Sequence, residues 1–483
     1  MNDPKMIFDR EGLQKLLQER VANVPSASHL REILARAREK NGLSVDDVAA
    51  LIVAPREFDQ EMFEVSARVR NEIYGNRMVL FAPLYWSNFC ANDCAYCSFR
   101  TSNKSERRVR LSLDSVVEET TALLDMGHKR IILESGEHAK KNSLDYLVRV
   151  IETIYGTKNT HGDQIRRVNV NIAASTVDEY RRLAAANIGT YNLFQETYHQ
   201  PTYERMHPTT SLKGNFSRQL FAMDRAIEGG LKDLGMGVLY GLSDWKLEVL
   251  SLIAHAQYLE RTYGIGPHTI SVPRICAIRG GTFVPPHPVS DDDFLRLIAI
   301  IRMAVPYAGM VVSTRERSEM RMKAFAIGIS QTSAGSKTTP GGYAQGVSSG
   351  SGQFLTHDDR TLDEVTGDLL RNGFIPSHCT ACEFMGREGK QFLPLAKTGE
   401  IRAFCQPNSI VTLKEFLRDY ASPETRARGE LVIARELEYI PEKSNFSIPV
   451  LNTATQALPD DIKGWTSKVL KQLDAGNREY QYL

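Results

Sequence analysis

Short apolar runs alternate with longer amphipathic segments eight times after residue 78, and this rhythm limits the folds open to the chain. The runs lie at 79–86, 130–133, 168–172, 190–194, 234–239, 268–272, 309–313 and 328–332. Between the first two, Leu113, Val116, Val117, Leu123 and Leu124 keep helical spacing, with Ser112 as N-cap and Gly127 as stop. Leu144, Leu147, Val148, Ile151 and Ile154 do the same, and Ser290 with Asp293 resembles a capping box. Strand–helix alternation predicts a parallel sheet, and eight units is the count that closes a barrel. An open doubly wound sheet would carry a GxGxxG turn after its first strand, and none follows Trp86. The predicted fold is therefore α/β, a parallel (β/α)8 TIM-type barrel over 79–352. A helical extension over 1–78 precedes it, and a mostly helical module over 353–483 follows. The Gly/Ser-rich stretch 333–352 reads as a long mobile loop. The tail after 442 is less readable.

Within the third run the period is two. Val168, Val170 and Ile172 share one side, Asn169 and Asn171 the other. Amides facing into a barrel need partners, so they point to a lumen that holds a ligand. The alternative is that they satisfy each other or a buried water.

Composition narrows the rest. Lys plus Arg is 59 and Asp plus Glu is 58, a net charge of +1. That is no electrostatic footprint for nucleic acid or an anionic membrane. The most apolar stretch, 297–314, is broken by Arg302 and Pro306, which argues against a membrane span. With no apolar signal region behind the start, the expected location is the cytoplasm. Cysteines there are poor disulfide candidates. Six of the seven fall into two clusters, and Cys276, alone after the sixth run, reads as an inert buried thiol.

Cys90, Cys94 and Cys97 form a CxxxCxxC motif just past the first strand, where barrel enzymes carry their chemistry. Structural zinc wants a fourth protein ligand. A 4Fe–4S cluster used only for electron transfer takes four thiolates, so three leave one iron open. That iron can chelate S-adenosylmethionine (SAM) and drive homolysis of its carbon–sulfur bond. The spacing, with Tyr96 before the last cysteine, is the signature of the radical SAM superfamily. Glu134 and Glu137, flanking Gly136 after strand two, resemble that superfamily's segment for the SAM amino group. Asn171 and Glu196, at the ends of strands three and four, are further candidate cofactor contacts, the alternative for Glu196 being a solvated loop carboxylate. In the second cluster Cys379 and Cys382 form a CxxC, with Cys405 following after 22 residues. It suits zinc with His378 as fourth ligand, or a second iron–sulfur cluster with its own open iron. Spacing leaves both open.

Together the two clusters resemble the HydG family, maturases of iron-only hydrogenases. So do the segments 167–174, 189–198 (GTYNLFQETY), 266–274 (GPHTISVPR), 304–310, 313–316, 329–335 and 405–408. Departures fall at Ser98-Phe99 and in 206–216 and 276–288. The resemblance implies a tyrosine lyase that breaks the Cα–Cβ bond of L-tyrosine. p-Cresol leaves, and dehydroglycine is converted to carbon monoxide and cyanide. It implies two 4Fe–4S clusters, SAM, and a labile extra iron with bound free cysteine on the second cluster, where an iron–carbonyl–cyanide unit is assembled. His268 matches the family's histidine ligand of that iron; without the family, a strand-start histidine reads as a hydrogen-bonded core residue. Arg315 is the candidate to grip the substrate carboxylate, the alternative being a helix-end salt bridge. The implied partners are a ferredoxin or flavodoxin donor and the maturases HydE and HydF. The rivals are ThiH, the 2-iminoacetate synthase of thiazole synthesis, which should lack the second cluster, and a non-catalytic iron–sulfur scaffold.

Overall fold

The computed structural model describes residues 3–208, 210–278, 283–344, 346, 352–384, 386–440, 459, 461–477, 480 and 483. Eight parallel strands close into a barrel: β1 (Arg77–Ser87), β2 (Arg130–Ser135), β3 (Arg167–Asn171), β4 (Tyr191–Glu196), β5 (Leu234–Val238), β6 (Thr269–Ser271), β7 (Gly309–Val312) and β8 (Gln331–Ser333). Closure is made by β1, which pairs with β2 along its C-terminal half and with β8 further back. The expected eight strands all occur. The last begins later than its apolar run, because Gly328 and Ile329 still belong to the turn off the preceding helix.

Local signals set the helix starts. Ser112, Ser143, Thr176, Ser290 and Thr361 each accept the backbone N–H three residues on, a cap worth about 1 kcal/mol. At Ser290 only that half of the expected box forms. The N-terminal region is helical as expected, and its helix Asp59–Tyr74 packs on Asp291–Ala304 and Ser318–Ile327 of the barrel's outer ring.

Among the described residues the regular structure of the C-terminal region is helical apart from one strand that sequence reading missed. β9 (Ile375–Ser377) pairs in parallel with Arg77–Val79, at the N-terminal end of β1. Cations at the starts of β2 and β3 hold this region under the barrel. Arg166 pairs with Glu415 at 2.5 Å and Arg167 with Glu388 at 3.1 Å, while Lys129, paired with the barrel's own Asp163 at 2.7 Å, donates to the Tyr420 hydroxyl at 3.4 Å. Breaking a buried pair of this kind costs about 3–5 kcal/mol, because the remaining charge is stranded.

The described part of the 333–352 stretch is not the mobile loop expected. Its residues are mostly buried, Tyr343 and Ala344 donate backbone N–H groups to Glu119, and the Tyr343 hydroxyl donates to the Pro83 carbonyl. Residues 345 and 347–351 lie outside the described residues, as does most of the tail after 442. No helix among the described residues is long and apolar enough to cross a membrane.

Candidate functional site

A cavity of about 230 Å³ opens at the C-terminal ends of the strands and runs down the lumen. Cys90, Cys94, Cys97, Glu134, Glu137, Asn171, Glu196 and Arg315 all line it. The strand ends thus gather every rim residue singled out from the sequence.

The cysteine loop rests on the glycine–glutamate turn. A Cβ on Gly136 would run into the Phe89 carbonyl oxygen and stand 2.9 Å from the Cys90 Cβ, so only glycine allows this approach. Asn142 donates to the Phe89 and Gly136 carbonyls and clips the two loops together. Glu137 accepts from the Asn92 amide at 2.6 Å and its carbonyl from Ala91 N–H. Glu137 therefore shapes the cysteine loop. Burial pushes all three thiols up, Cys97 to about 11, with neighbouring cysteines adding to the rise at Cys94 and Cys97. A bound cationic metal would reverse that balance. Gln353 caps the set, its amide 3.8 Å from the Cys97 sulfur and its oxygen accepting from Tyr85.

Deeper in, the Asn171 amide donates to Glu134 at 3.2 Å. Burial pushes the Glu134 carboxyl up to about 8, against the pull of Asn171 and Arg315. Glu196 is no solvated loop carboxylate. It lies half-buried at a positive φ of 66° and takes a 2.8 Å hydrogen bond from Lys213, and that cation holds its carboxyl below the usual range despite burial. The following turn is fixed by Glu248, which accepts from the Thr197 hydroxyl and the Tyr198 N–H. Arg315 makes no helix-end salt bridge among the described residues; its guanidinium lies over the Phe354 ring, 3.3 Å from the centroid.

The lumen floor is polar. The Asn169 oxygen accepts the Thr190 N–H, and the Asn192 oxygen faces the Thr269 hydroxyl at 3.4 Å. Gly235 leaves room for this layer, since a Cβ there would run into Asn192 Oδ1 and stand 2.6 Å from Thr269 Oγ1. So Asn169 is satisfied by backbone, and Asn171 meets a carboxylate facing the cavity.

The second cysteine set lies at the opposite end. β9 leads straight into Cys379, and Arg130 at the start of β2 donates to the Cys379 carbonyl. β1 spans both sites, so roughly 30 Å of strand separates them. Cys382 hydrogen-bonds to Cys405, lowering the Cys405 thiol to about 7 with help from Arg77, while burial raises Cys379 to about 11. His268, immediately before β6, is close enough to act on Cys382, and its ring packs on Phe392 at 4.4 Å. Arg77 Nε and Arg387 Nε and Nη1 are buried without hydrogen-bond partners. The arrangement suits an anionic occupant. His378 does not join the set; its ring stacks on Phe416 at 5.3 Å. Among the described residues no three His, Cys, Asp or Glu side chains converge to hold a single metal ion. Cys276 is buried as expected, its sulfur 3.4 Å from the Arg315 carbonyl.

Sequence reading missed Lys213, Gln353, Glu248, Arg77 and Arg387. Lys213 lies in 206–216, a segment that departs from the HydG pattern, and nothing local marked it. Gly235, the second residue of β5, was the available sign of the polar floor.

The chain matches the Radical SAM superfamily over residues 84–253, and the Biotin and Thiamin Synthesis associated domain over 271–375. A barrel with a three-cysteine rim and this match defines a radical SAM enzyme. Within that class, a crystal structure of HydG, a maturase of the FeFe-hydrogenase, superposes with a TM-score of 0.90. It is 44% identical and covers 99% of this chain and 100% of its own. HydG from Carboxydothermus hydrogenoformans gives 0.80 at 35% identity, covering 96% of this chain and 99% of its own. The 2-iminoacetate synthase of Escherichia coli is 30% identical over 359 residues, which are 74% of this chain and 92% of that enzyme. The chain belongs to the HydG family of radical SAM maturases.

Proposed function

We propose that this protein cleaves L-tyrosine by radical SAM chemistry and builds an iron–carbonyl–cyanide unit for an FeFe-hydrogenase cofactor. One observation carries the choice over a thiazole-type lyase. The HydG structures match 99% and 96% of the chain, whereas the E. coli synthase is 92% matched by only 74% of it. The part of this chain without a counterpart there has room for the second cysteine set.

Cys90, Cys94 and Cys97 would hold a 4Fe–4S cluster at the rim. When bound, that cluster supplies one electron to SAM, whose carbon–sulfur bond breaks to give the deoxyadenosyl radical. Glu134, with Asn171 behind it, offers a carboxylate to the SAM ammonium. Glu196 and Lys213 form a fixed dipole beside Cys94. Arg315 offers a cation to the tyrosine carboxylate across the mouth, and the described 333–344 stretch helps exclude water from the lumen. Hydrogen abstraction from tyrosine lets the Cα–Cβ bond break, giving p-cresol and dehydroglycine. The polar floor at Asn169, Asn192 and Thr269 can pass a small polar fragment toward His268. At the lower end Cys379, Cys382 and Cys405 would hold a second cluster, with His268 toward an extra iron that is cargo rather than a fixture. Arg77 and Arg387 would offset the negative charge of thiolates, cyanide and free cysteine. The implied partners remain an electron donor and the maturases HydE and HydF.

Anaerobic reconstitution with tyrosine, SAM and a reductant tests this reading. All three of p-cresol, cyanide and carbon monoxide are expected. p-Cresol alone would assign the chain to the thiazole-type lyases, and none of the three would remove the lyase assignment.

A pH dependence follows from Glu134. Its carboxyl stays protonated below about 8, so an incoming ammonium must first displace that proton. SAM affinity should therefore rise with pH, about tenfold per unit below pH 8, and fall again at higher pH as the α-amino group of SAM itself loses its proton. Titration calorimetry from pH 6.5 to 9 reads the slope. Glu134→Gln should bind weakly at every pH and show no such rise; an unchanged rise would clear Glu134 of the role.

A further inference from the structure

Glu196 holds a backbone conformation that its surroundings must enforce. Its φ of 66° lies in the left-handed region, which crowds any residue with a Cβ. It also stands where the pairing of β4 with β5 shifts register, between Phe194 and Glu196. An irregularity of this kind re-aims a side chain, and a residue kept in a sparsely populated conformation needs neighbours that over-determine it. The Glu196 carboxylate lines the cavity and is held there by Lys213. Its backbone is held from behind. The Glu196 carbonyl accepts from Leu239 N–H at 3.0 Å, and the residues that follow are clamped by Glu248.

Glu248 is a buried carboxylate in the first turn of helix Trp245–Tyr263. Its oxygens divide the work. One takes the Thr197 hydroxyl, the other the Tyr198 N–H at 2.8 Å. The Thr197 hydroxyl oxygen in turn accepts the His199 N–H at 3.0 Å, so one carboxylate orders three consecutive residues. The cation that acts on it is Arg10, at the start of the N-terminal helices, whose Nη1 is buried without a hydrogen-bond partner. Burial pushes the Glu248 carboxyl up to about 7, while its two hydrogen bonds and Arg10 pull against that rise. Phe8, two residues before Arg10, packs edge-on against the Tyr198 ring with centroids 5.3 Å apart. The Tyr198 hydroxyl meets His255 Nδ1 at 2.9 Å. Neither Glu248 nor Arg10 is among the described residues that line the cavity.

We propose that Glu248 is a positioning residue for the cosubstrate: by clamping Thr197 and Tyr198 it keeps the Glu196 carboxylate aimed into the cavity, with Phe8 and Arg10 of the N-terminal extension closing the clamp from behind. The proposal rests on the reading of Glu196 as a cofactor contact. With the clamp loosened, Glu196 relaxes toward an extended φ and its carboxylate turns from the place the cosubstrate needs it. The first residues of the N-terminal extension are then a working part of the SAM site, although they lie outside the barrel.

The test measures SAM binding to reconstituted holoenzyme by titration calorimetry. E248Q keeps the side chain's shape but offers one acceptor oxygen instead of two, so one donor of the turn goes unmet. Its dissociation constant for SAM should rise at least about tenfold. Iron per chain should stay at the wild-type value, and the KM for tyrosine should stay within about twofold. A loss that acts through Glu196 disappears once Glu196 is already altered, so E196Q/E248Q should bind SAM within about twofold of E196Q alone. R10M should lose about threefold, and R10K should bind as wild type, because a charge at that place is what acts on Glu248. Should E248Q fail to fold, T197V removes a single donor and is carried through the same cycle. Wild-type SAM affinity in E248Q and T197V would overturn the proposal. So would the full loss repeated in the E196Q background, which would make Glu248 a support of the fold alone. Wild-type affinity in E196Q itself would instead sink the reading of Glu196 beneath the proposal.

Discussion

Cys94→Ala should leave a folded protein that cleaves no SAM. Three thiolates are the smallest set that holds a cubane with one free corner, and two do not retain it. The loss of iron should be about four atoms per chain. Cleavage should fall by at least about 10⁴-fold, equivalent to about 5.5 kcal/mol of barrier, because no other group on the rim can deliver the electron. Folding should survive. Cys94 is 7% exposed, its loop is held by Asn142, by Glu137 and by Arg108, which donates to the Asn88, Phe99 and Arg100 carbonyls, rather than by the thiol, and removing one sulfur opens little space. Iron analysis, deoxyadenosine assay and thermal unfolding together check the prediction. A variant that keeps measurable deoxyadenosine formation would show that the open-corner reading of the rim is wrong.

Cys382→Ala should separate the two ends of the molecule. It removes the residue that hydrogen-bonds Cys405 and that His268 faces, yet lies at the far end of β1 from the rim. Iron should fall to about four atoms per chain, the content of one remaining cluster. Deoxyadenosine and p-cresol should persist within a few-fold of wild type, since no rim contact changes. Iron-bound carbonyl and cyanide, read by infrared spectroscopy, should vanish. If p-cresol also disappears while the protein stays folded, the ends are not independent. If the infrared bands survive, the second set is not the assembly site.

Much of this architecture was legible because it is written locally. Parallel strands buried on both faces show as apolar runs, and capping residues mark helix starts. Ser112, Ser143 and Thr361 begin helices for reasons within four residues of themselves. CxxxCxxC is equally local, since one short loop must present all three thiols. The unread parts are those whose cause is distant in sequence. Ile375, Pro376 and Ser377 are too few to announce a strand, and become β9 only because the start of β1 offers an unpaired edge. Lys213 matters because its turn folds back over Glu196. Gln353 reaches Cys97 from more than 250 positions away.

The sequence by itself determined the barrel class, the two cysteine sets and their place after the first strand and in the C-terminal region. Periodicity and ligand spacing are short-range properties of a chain. Only the tertiary structure decided that Arg77 and Arg387 lie close enough to act on the lower set, that the His378 ring stacks on Phe416, and that Glu196 is paired rather than solvated. Those outcomes depend on barrel closure, which brings remote strand ends together and so sets both the burial of each group and the charged partners it meets.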